Sequence, residues 1–186
     1  PAPRLAYAAW LEKQADPASA ARGEFIRIDC EMEGLPPTDG RYQQLDERRG
    51  SLLQEYEAAW VRPLRKLGLS LDFFGYCTAG YRYGMIEEIN IDREGVLERK
   101  AKRLFRAAPA LRKISFEDCR VDAARLAALP QLQQLTALEL SDTGIDPDGA
   151  RALAASPYLA NLTALDLSHN EIGLEGLQAL LASPYL

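Results

Sequence analysis

LTALELSDTGIDPDGARALAASPYL, residues 135–159, is repeated with changes as LTALDLSHNEIGLEGLQALLASPYL at residues 162–186. With a shift of 27 residues, 15 of the 25 aligned positions are identical. Self-similarity at such a period indicates a repeat architecture, in which copies stack because one copy cannot bury its own apolar face. The sequence therefore predicts an extended surface of the kind that binding scaffolds present.

The frame inside each copy reads Leu-x-x-Leu-x-Leu-x-x-Asn-x-Leu and continues upstream in weaker form. Frames begin at residues 86, 111, 135 and 162, at spacings of 25, 24 and 27 residues. Only the last frame has the asparagine, Asn170, and the earlier frames have Glu94, Cys119 and Thr143 in its place. The spacing lies within the roughly 20–29 residues expected of leucine-rich repeats.

These frames resemble the leucine-rich-repeat class, in the variety that carries a helix in every repeat, as ribonuclease inhibitor does. The resemblance implies an α/β solenoid with a parallel sheet on the concave side and helices on the convex side. We expect helices at 148–155 and 175–182, because Leu177, Leu180 and Leu181 recur there at helical spacing. Gly144 and Gly173 supply turn chemistry between strand and helix.

The asparagine position has a physical role, because an amide both donates to and accepts from a turning backbone whose buried polar groups need partners. Thr143 and Cys119 are weaker donors of suitable size, so we expect Cys119, Thr143 and Asn170 to be structural turn residues. Glu94 departs from the pattern, which predicts that the first repeat is a divergent boundary repeat. We also expect the intact protein to continue beyond Leu186 with further repeats or a cap.

The first part of the chain differs in kind, because its apolar residues recur at helical spacing in three runs, 4–14, 22–33 and 41–67. Two phrases in it, PRLAYAAWLE at 3–12 and DP at 16–17 followed by RGEFIR at 22–27, resemble a helical repeat-companion domain of bacterial repeat proteins. The sequence departs from that domain at Ala9 and through four inserted residues, 18–21. The resemblance implies a capping role and no biochemical activity.

The predicted organisation is thus a small α-helical capping domain at 1–68, a connector at 69–84 and four leucine-rich repeats at 85–186. The chain has 22 Lys and Arg against 27 Asp and Glu, a net charge of −5, which argues against a general nucleic-acid binder. Three cysteines without paired spacing predict no disulfide framework, and a reducing cytoplasm is the expected location. No apolar run approaches 18 residues, so no membrane span is predicted.

Catalytic and metal chemistry find little support in the sequence. The one histidine, His169, stands next to Asn170 in the repeat frame. No other histidine could serve as the base of a Ser-His-Asp triad. A zinc site of histidine and cysteine lacks enough ligands. We therefore predict no enzyme, no cofactor and no metal, and an enzyme of unrecognised type ranks third among the possible functions.

The exposed face of the predicted strands is the expected recognition surface, because successive strand residues alternate between the two faces. Three rows cross the sheet, and six of their twelve residues are acidic. The rows are Asn90, Ser115, Glu139 and Asp166; Asp92, Glu117, Ser141 and Ser168; and Arg93, Asp118, Asp142 and His169. We name these twelve residues the acidic strand face.

Two interpretations of the acidic strand face remain open from the sequence. The charges either keep an exposed face soluble or form a site, for a basic protein segment in the first place and for a cation in the second. The main functional prediction is a protein-interaction scaffold, and the alternative is a regulator of an enzyme, inhibitor or activator, acting through the same surface.

A second charged feature lies in the first repeat. Residues 99–106 carry Arg99, Lys100, Lys102, Arg103 and Arg106. The run is either a solvated convex face or a patch for nucleic acid or an acidic partner.

Overall fold

The computed structural model describes residues 2–68, 72–73, 76–77, 79–82, 84–116 and 119–186. The chain separates into two compact units, Pro1–Pro63 with Tyr81–Met85 and Leu64–Gly80 with Ile86–Leu186. We describe each unit by itself.

The first unit is helical, and its helices are α1 (Ala2–Leu11), α2 (Pro17–Met32) and α3 (Gly40–Trp60), followed by a short helix α4 (Arg62–Arg65). Asp16 begins α2 rather than ending α1, because its carboxylate accepts from the Ser19 backbone N–H at 3.0 Å. The third predicted run is divided at Val61, one residue before α4 and two before Pro63. Gly50 does not interrupt α3.

Two apolar clusters hold the helices of this unit together. Ala8 and Leu11 of α1 pack on Ile26, and Phe25 and Trp60 lie in the larger cluster between α2 and α3. The Trp60 indole N–H donates to the Ala18 carbonyl oxygen at 2.8 Å, so the ring is both packed and satisfied.

Helices α1 and α2 approach closely at Gly23. A Cβ placed there would lie 2.7 Å from the Ala8 carbonyl oxygen and 2.8 Å from Glu12 Cγ. The hydrogen atom of glycine therefore sets the distance between the two helices.

The second unit is mixed α and β. A short antiparallel pair, β1 (Asp72–Phe73) and β2 (Tyr76–Cys77), precedes β3 (Ala79–Arg82) in the chain. The strands that follow are β4 (Met85–Ile91), β5 (Lys113–Phe116), β6 (Ala137–Glu139) and β7 (Ala164–Asp166). They pair in parallel and in chain order, as predicted.

Each of the strands β4 to β7 is followed by a helix. The helices are α5 (Val96–Ala107), α6 (Ala123–Ala127), α7 (Pro147–Ala154) and α8 (Gly173–Leu181), with 3-10 turns at Pro130–Gln134 and Pro157–Leu159. Consecutive helices pack on one another, α5 on α6, α6 on α7 and α7 on α8. Gly144 and Gly173 both have positive φ, 75° and 59°, which fits the turns expected there.

The core of this unit lies between the strands and the helices. Ile89, Ile114 and Leu138 are register neighbours and are all buried. The corresponding residue of β7, Leu165, is only half-buried.

The apolar stripe predicted on the last helix is exposed. The exposed fractions of Leu177 and Leu181 are 43% and 79%, and Gly176 is the buried residue of α8. Helix α7 packs on α8 at Gly176, where an added Cβ would lie 2.9 Å from Ala150 Cβ, and Leu180, one turn later, is half-buried.

Candidate interaction surface

The central row of the acidic strand face is held in register by the parallel sheet. Asn90 pairs with Ser115, Ser115 with Glu139, and Glu139 with Asp166. Adjacent parallel strands lie about 4.8 Å apart, so these side chains are immediate neighbours. Asp166 is exposed and the other three are half-buried. The sheet therefore places two carboxylates next to each other on β6 and β7.

A lysine that the sequence analysis did not count also lies on this face. Lys113 Nζ is 2.7 Å from Glu139 Oε1, and this hydrogen bond raises the pKa of the Lys113 ammonium. Glu88 is the register neighbour of Lys113 on β4. The three rows began at Asn90 and left out the preceding row, to which Glu88 and Lys113 belong. That row adds one carboxylate and one ammonium, so it leaves the net charge of the face unchanged and places a cation beside Glu139.

Asp166 is fixed by the chain that follows its strand. Its Oδ1 accepts from the Ser168 backbone N–H at 2.8 Å, and this hydrogen bond lowers the pKa of the Asp166 carboxyl. The Ser168 hydroxyl lies 2.9 Å from that of Ser141, one repeat earlier. Asp166 is therefore a positioned, ionised carboxylate at neutral pH.

The row at the strand ends has an unusual backbone. Asp142 and His169, which are 27 residues apart, have φ of 53° and 56°, and both side chains are exposed. Aspartate tolerates this left-handed region better than most residues, and a glycine is not required. Asp92 and Arg93, after β4, are exposed as well. Glu117 and Asp118 lie outside the described residues, so the surface has two predicted members without a described position.

The turn positions of the frame bind backbone from neighbouring strands. Asn170 Oδ1 accepts from the backbone N–H groups of Thr143 and Ile145 at 3.2 and 2.8 Å. Its Nδ2 donates to the carbonyl oxygens of Leu140, Leu167 and Ser168, at 2.6, 3.1 and 3.1 Å. One amide thus satisfies backbone groups of two consecutive repeats.

Cys119 and Thr143, which replace the asparagine in earlier frames, make part of the same set of backbone hydrogen bonds. Cys119 Sγ donates to the Ile91 carbonyl oxygen at 3.4 Å, one repeat back, and Thr143 Oγ1 donates to the Leu140 carbonyl oxygen at 2.8 Å within its own repeat. At Glu94 the chain turns through Gly95, whose φ is 66°, and α5 begins one residue later.

A second ladder joins the repeats on the helix side. The Ser156 hydroxyl donates to the Ala127 carbonyl oxygen at 2.5 Å, and the Ser183 hydroxyl donates to the Ala154 carbonyl oxygen at 2.6 Å. These two contacts are 27 residues apart, like the sequence repeat itself. The serine of each Ser-Pro-Tyr-Leu segment therefore binds the backbone of the preceding repeat, a role that the apolar frame does not indicate.

Residues 131–154 and 158–181 match the family model described as Leucine Rich repeat. These two segments are similar to leucine-rich repeats. They contain β6, β7, α7 and α8, and they contribute Glu139 and Asp166 to the acidic strand face. Comparison with curated proteins and with solved structures gave no match.

Leucine-rich repeats commonly mediate protein–protein interaction and are generally non-enzymatic scaffolds. Within the described ranges, no three His, Cys, Asp or Glu side chains come together as possible metal ligands. No helix in that part of the chain is long and apolar enough to cross a membrane.

Proposed function

We propose that the chain is a protein-interaction module whose leucine-rich repeats bind a basic segment of a partner protein through the acidic strand face. The observation that carries the proposal is the register pairing of Glu139 with Asp166, which aligns two carboxylates on adjacent strands. A basic chain laid across the sheet meets both carboxylates, and complementary charge accelerates its association.

The proposal extends the repeat assignment to all four frames. The first two frames use the same parallel register, in which Ile89 pairs with Ile114 as Leu138 pairs with Leu165. Cys119 also reaches back to Ile91 as Asn170 reaches back to Leu140. We infer a solenoid of four ribonuclease-inhibitor-like repeats, with the helical region 1–68 as a repeat-companion cap.

A fluorescent octalysine peptide tests the proposed charge preference in the absence of a known partner. The variant Glu139→Ser, Asp142→Ser, Asp166→Ser should weaken octalysine binding by about tenfold, because it removes three carboxylates from one face. Added salt should weaken binding of the unaltered chain, since exposed charges are screened over about 8 Å at physiological ionic strength. Fluorescence anisotropy measures both effects.

A matched variant removes the same charge elsewhere. Glu47, Glu55 and Asp148 are exposed and lie outside the strands, so changing all three to Ser should leave octalysine affinity within about twofold. Both variants should melt close to the parent chain by circular dichroism. Equal losses in the two variants, or no octalysine binding at low salt, would contradict the proposal.

A further inference from the structure

Helix α5 has a continuous positive face. Arg99, Lys102, Arg103 and Arg106 are exposed and follow the spacing i, i+3, i+4 and i+7, which places them on one side of a helix. We name these four residues the basic helix face. The residues of α5 on the other side are buried and anchor the helix to the core: Val96, Leu97, Ala101, Leu104 and Phe105.

In the described part of the chain, no ion pair neutralises the charges of the basic helix face. Among the residues that the structure describes, none forms an ion pair with Lys102, Arg103 or Arg106, and Arg99 donates to a backbone oxygen, that of Glu94 at 3.1 Å. The one acidic residue of α5 is Glu98, and its buried Oε2 has no hydrogen-bond partner in the described chain. The four cations therefore act together on whatever approaches them.

Arginines on two other helices of the same unit form ion pairs. Arg125 of α6 lies 3.1 Å from Asp122, and Arg151 of α7 lies 3.0 Å from Asp148 and 3.2 Å from Glu175. In each case an adjacent carboxylate takes up the charge. The arginines of α5 thus differ from those of α6 and α7, which form ion pairs with nearby carboxylates.

A shallow groove runs beside the basic helix face. One side is formed by residues 98–103 of α5, which include Glu98 as well as Arg99, Lys102 and Arg103, and the other side by Leu129–Gln131. The groove gives an extended chain a place to lie along the cations, with apolar contact to Leu129 and Pro130.

We propose that the basic helix face binds a short acidic segment of a second protein. Three of its four cations are arginines, whose planar guanidinium groups donate two N–H groups to one carboxylate in a bidentate geometry. The face extends about 10 Å, seven residues at a rise of about 1.5 Å each, which matches a few residues of extended peptide. This surface is separate from the acidic strand face and independent of its proposed function.

A long polyanion fits this unit less well than a short segment. Residues 135–186, which include α7 and α8, carry seven acidic side chains and one basic side chain, Arg151. A nucleic acid that continued past α5 and α6 along the layer of helices would meet that negative charge. An acidic peptide of a few residues ends before it.

The test uses a fluorescent octaglutamate peptide and the full chain. Octaglutamate should bind at about 0.05 M salt and dissociate as salt rises toward about 0.3 M, because the contacts are screened ion pairs. Lys102→Gln, Arg103→Gln, Arg106→Gln should weaken its binding by about tenfold or more, three carboxylate contacts being lost. Circular dichroism melts should remain close to those of the parent chain, since all three side chains are exposed.

The matched control removes three exposed cations that lie elsewhere, Lys13→Gln, Arg62→Gln and Arg120→Gln, and should change octaglutamate affinity by less than about twofold. An oligothymidylate of equal charge and vesicles containing phosphatidylserine serve as competing probes. Tighter binding of either probe than of octaglutamate, equal losses in the two variants, or no octaglutamate binding at low salt would overturn the proposal.

Discussion

Asn170 donates its side-chain amide to the Leu140 carbonyl oxygen, 2.6 Å away and 30 residues earlier in the chain. The same amide accepts from the backbone N–H groups of Thr143 and Ile145. Backbone groups of one repeat are therefore satisfied by a side chain of the next. Removing that side chain leaves buried polar groups without partners. The resulting loss of stability exceeds the gain from the apolar surface of a substitute.

Replacing Asn170 by leucine should lower the free energy of unfolding by about 1–3 kcal/mol, although leucine adds apolar surface. The matched change Glu94→Leu should shift it by less than about 0.5 kcal/mol, because the Glu94 side chain is exposed. Urea denaturation of the two variants checks the order. A larger loss for the Glu94 variant would show that the amide ladder is not what stabilises these turns.

Leu140 is fully buried, with an exposed fraction of 0%. Its truncation to alanine should cost about 2–5 kcal/mol, from lost transfer free energy and from the cavity left behind. Leu181→Ala deletes the same atoms from a side chain that is 79% exposed, and should cost less than about 0.5 kcal/mol. Comparable losses in thermal or urea unfolding would place the core elsewhere.

Two glycines of the helical unit should respond in opposite directions to alanine. Gly50 lies inside α3, and a Cβ there would have no atom within 4 Å. Gly50→Ala should therefore stabilise by about 0.5–1 kcal/mol through helix propensity.

At Gly23 the added methyl group meets the Ala8 carbonyl oxygen at 2.7 Å. Gly23→Ala should destabilise by about 1–3 kcal/mol, because α1 must move away from α2. Urea melts followed by tryptophan fluorescence report on this unit through Trp60, which is buried in its core. Two shifts of the same sign would contradict the described packing of α1 and α2.

Lys113 partly neutralises the acidic strand face through its 2.7 Å contact with Glu139. Lys113→Met should tighten octalysine binding by about threefold to tenfold, because it releases a carboxylate and removes a repelling cation. Lys13→Met removes a lysine from the other unit and should have little effect. Unchanged or weaker octalysine binding in the Lys113 variant would place the binding surface elsewhere.

The strand order and parallel pairing followed from the spacing of the frames, because Leu-x-Leu at a period of 24–27 residues fixes which residues share a core. Pairing partners across strands were harder to predict. Lys113 was missed because it comes just before Ile114, the residue from which the exposed positions of that strand were counted. Its position on the acidic strand face follows from its pairing with Glu88 and its contact with Glu139.

The last helix shows a second limit of sequence reasoning. Leu177, Leu180 and Leu181 have the spacing of a buried stripe, but periodicity identifies an apolar face without saying whether a neighbour covers it. Val61 shows a third. Gly50 and Pro63 both interrupt the apolar pattern of the predicted third run, but α3 continues through Gly50 and ends at Trp60, with Val61 as its C-cap two residues before Pro63.

The contacts that join one frame to the next span a nearly constant length of chain: 28 residues from Cys119 to Ile91, 29 from Ser156 to Ala127, 29 from Ser183 to Ala154 and 30 from Asn170 to Leu140. Loop-closure entropy depends on that length alone for a flexible chain. Joining each frame to the one before it during folding therefore carries a similar entropic cost. Order can spread along the array from neighbour to neighbour, without an encounter between distant parts of the sequence.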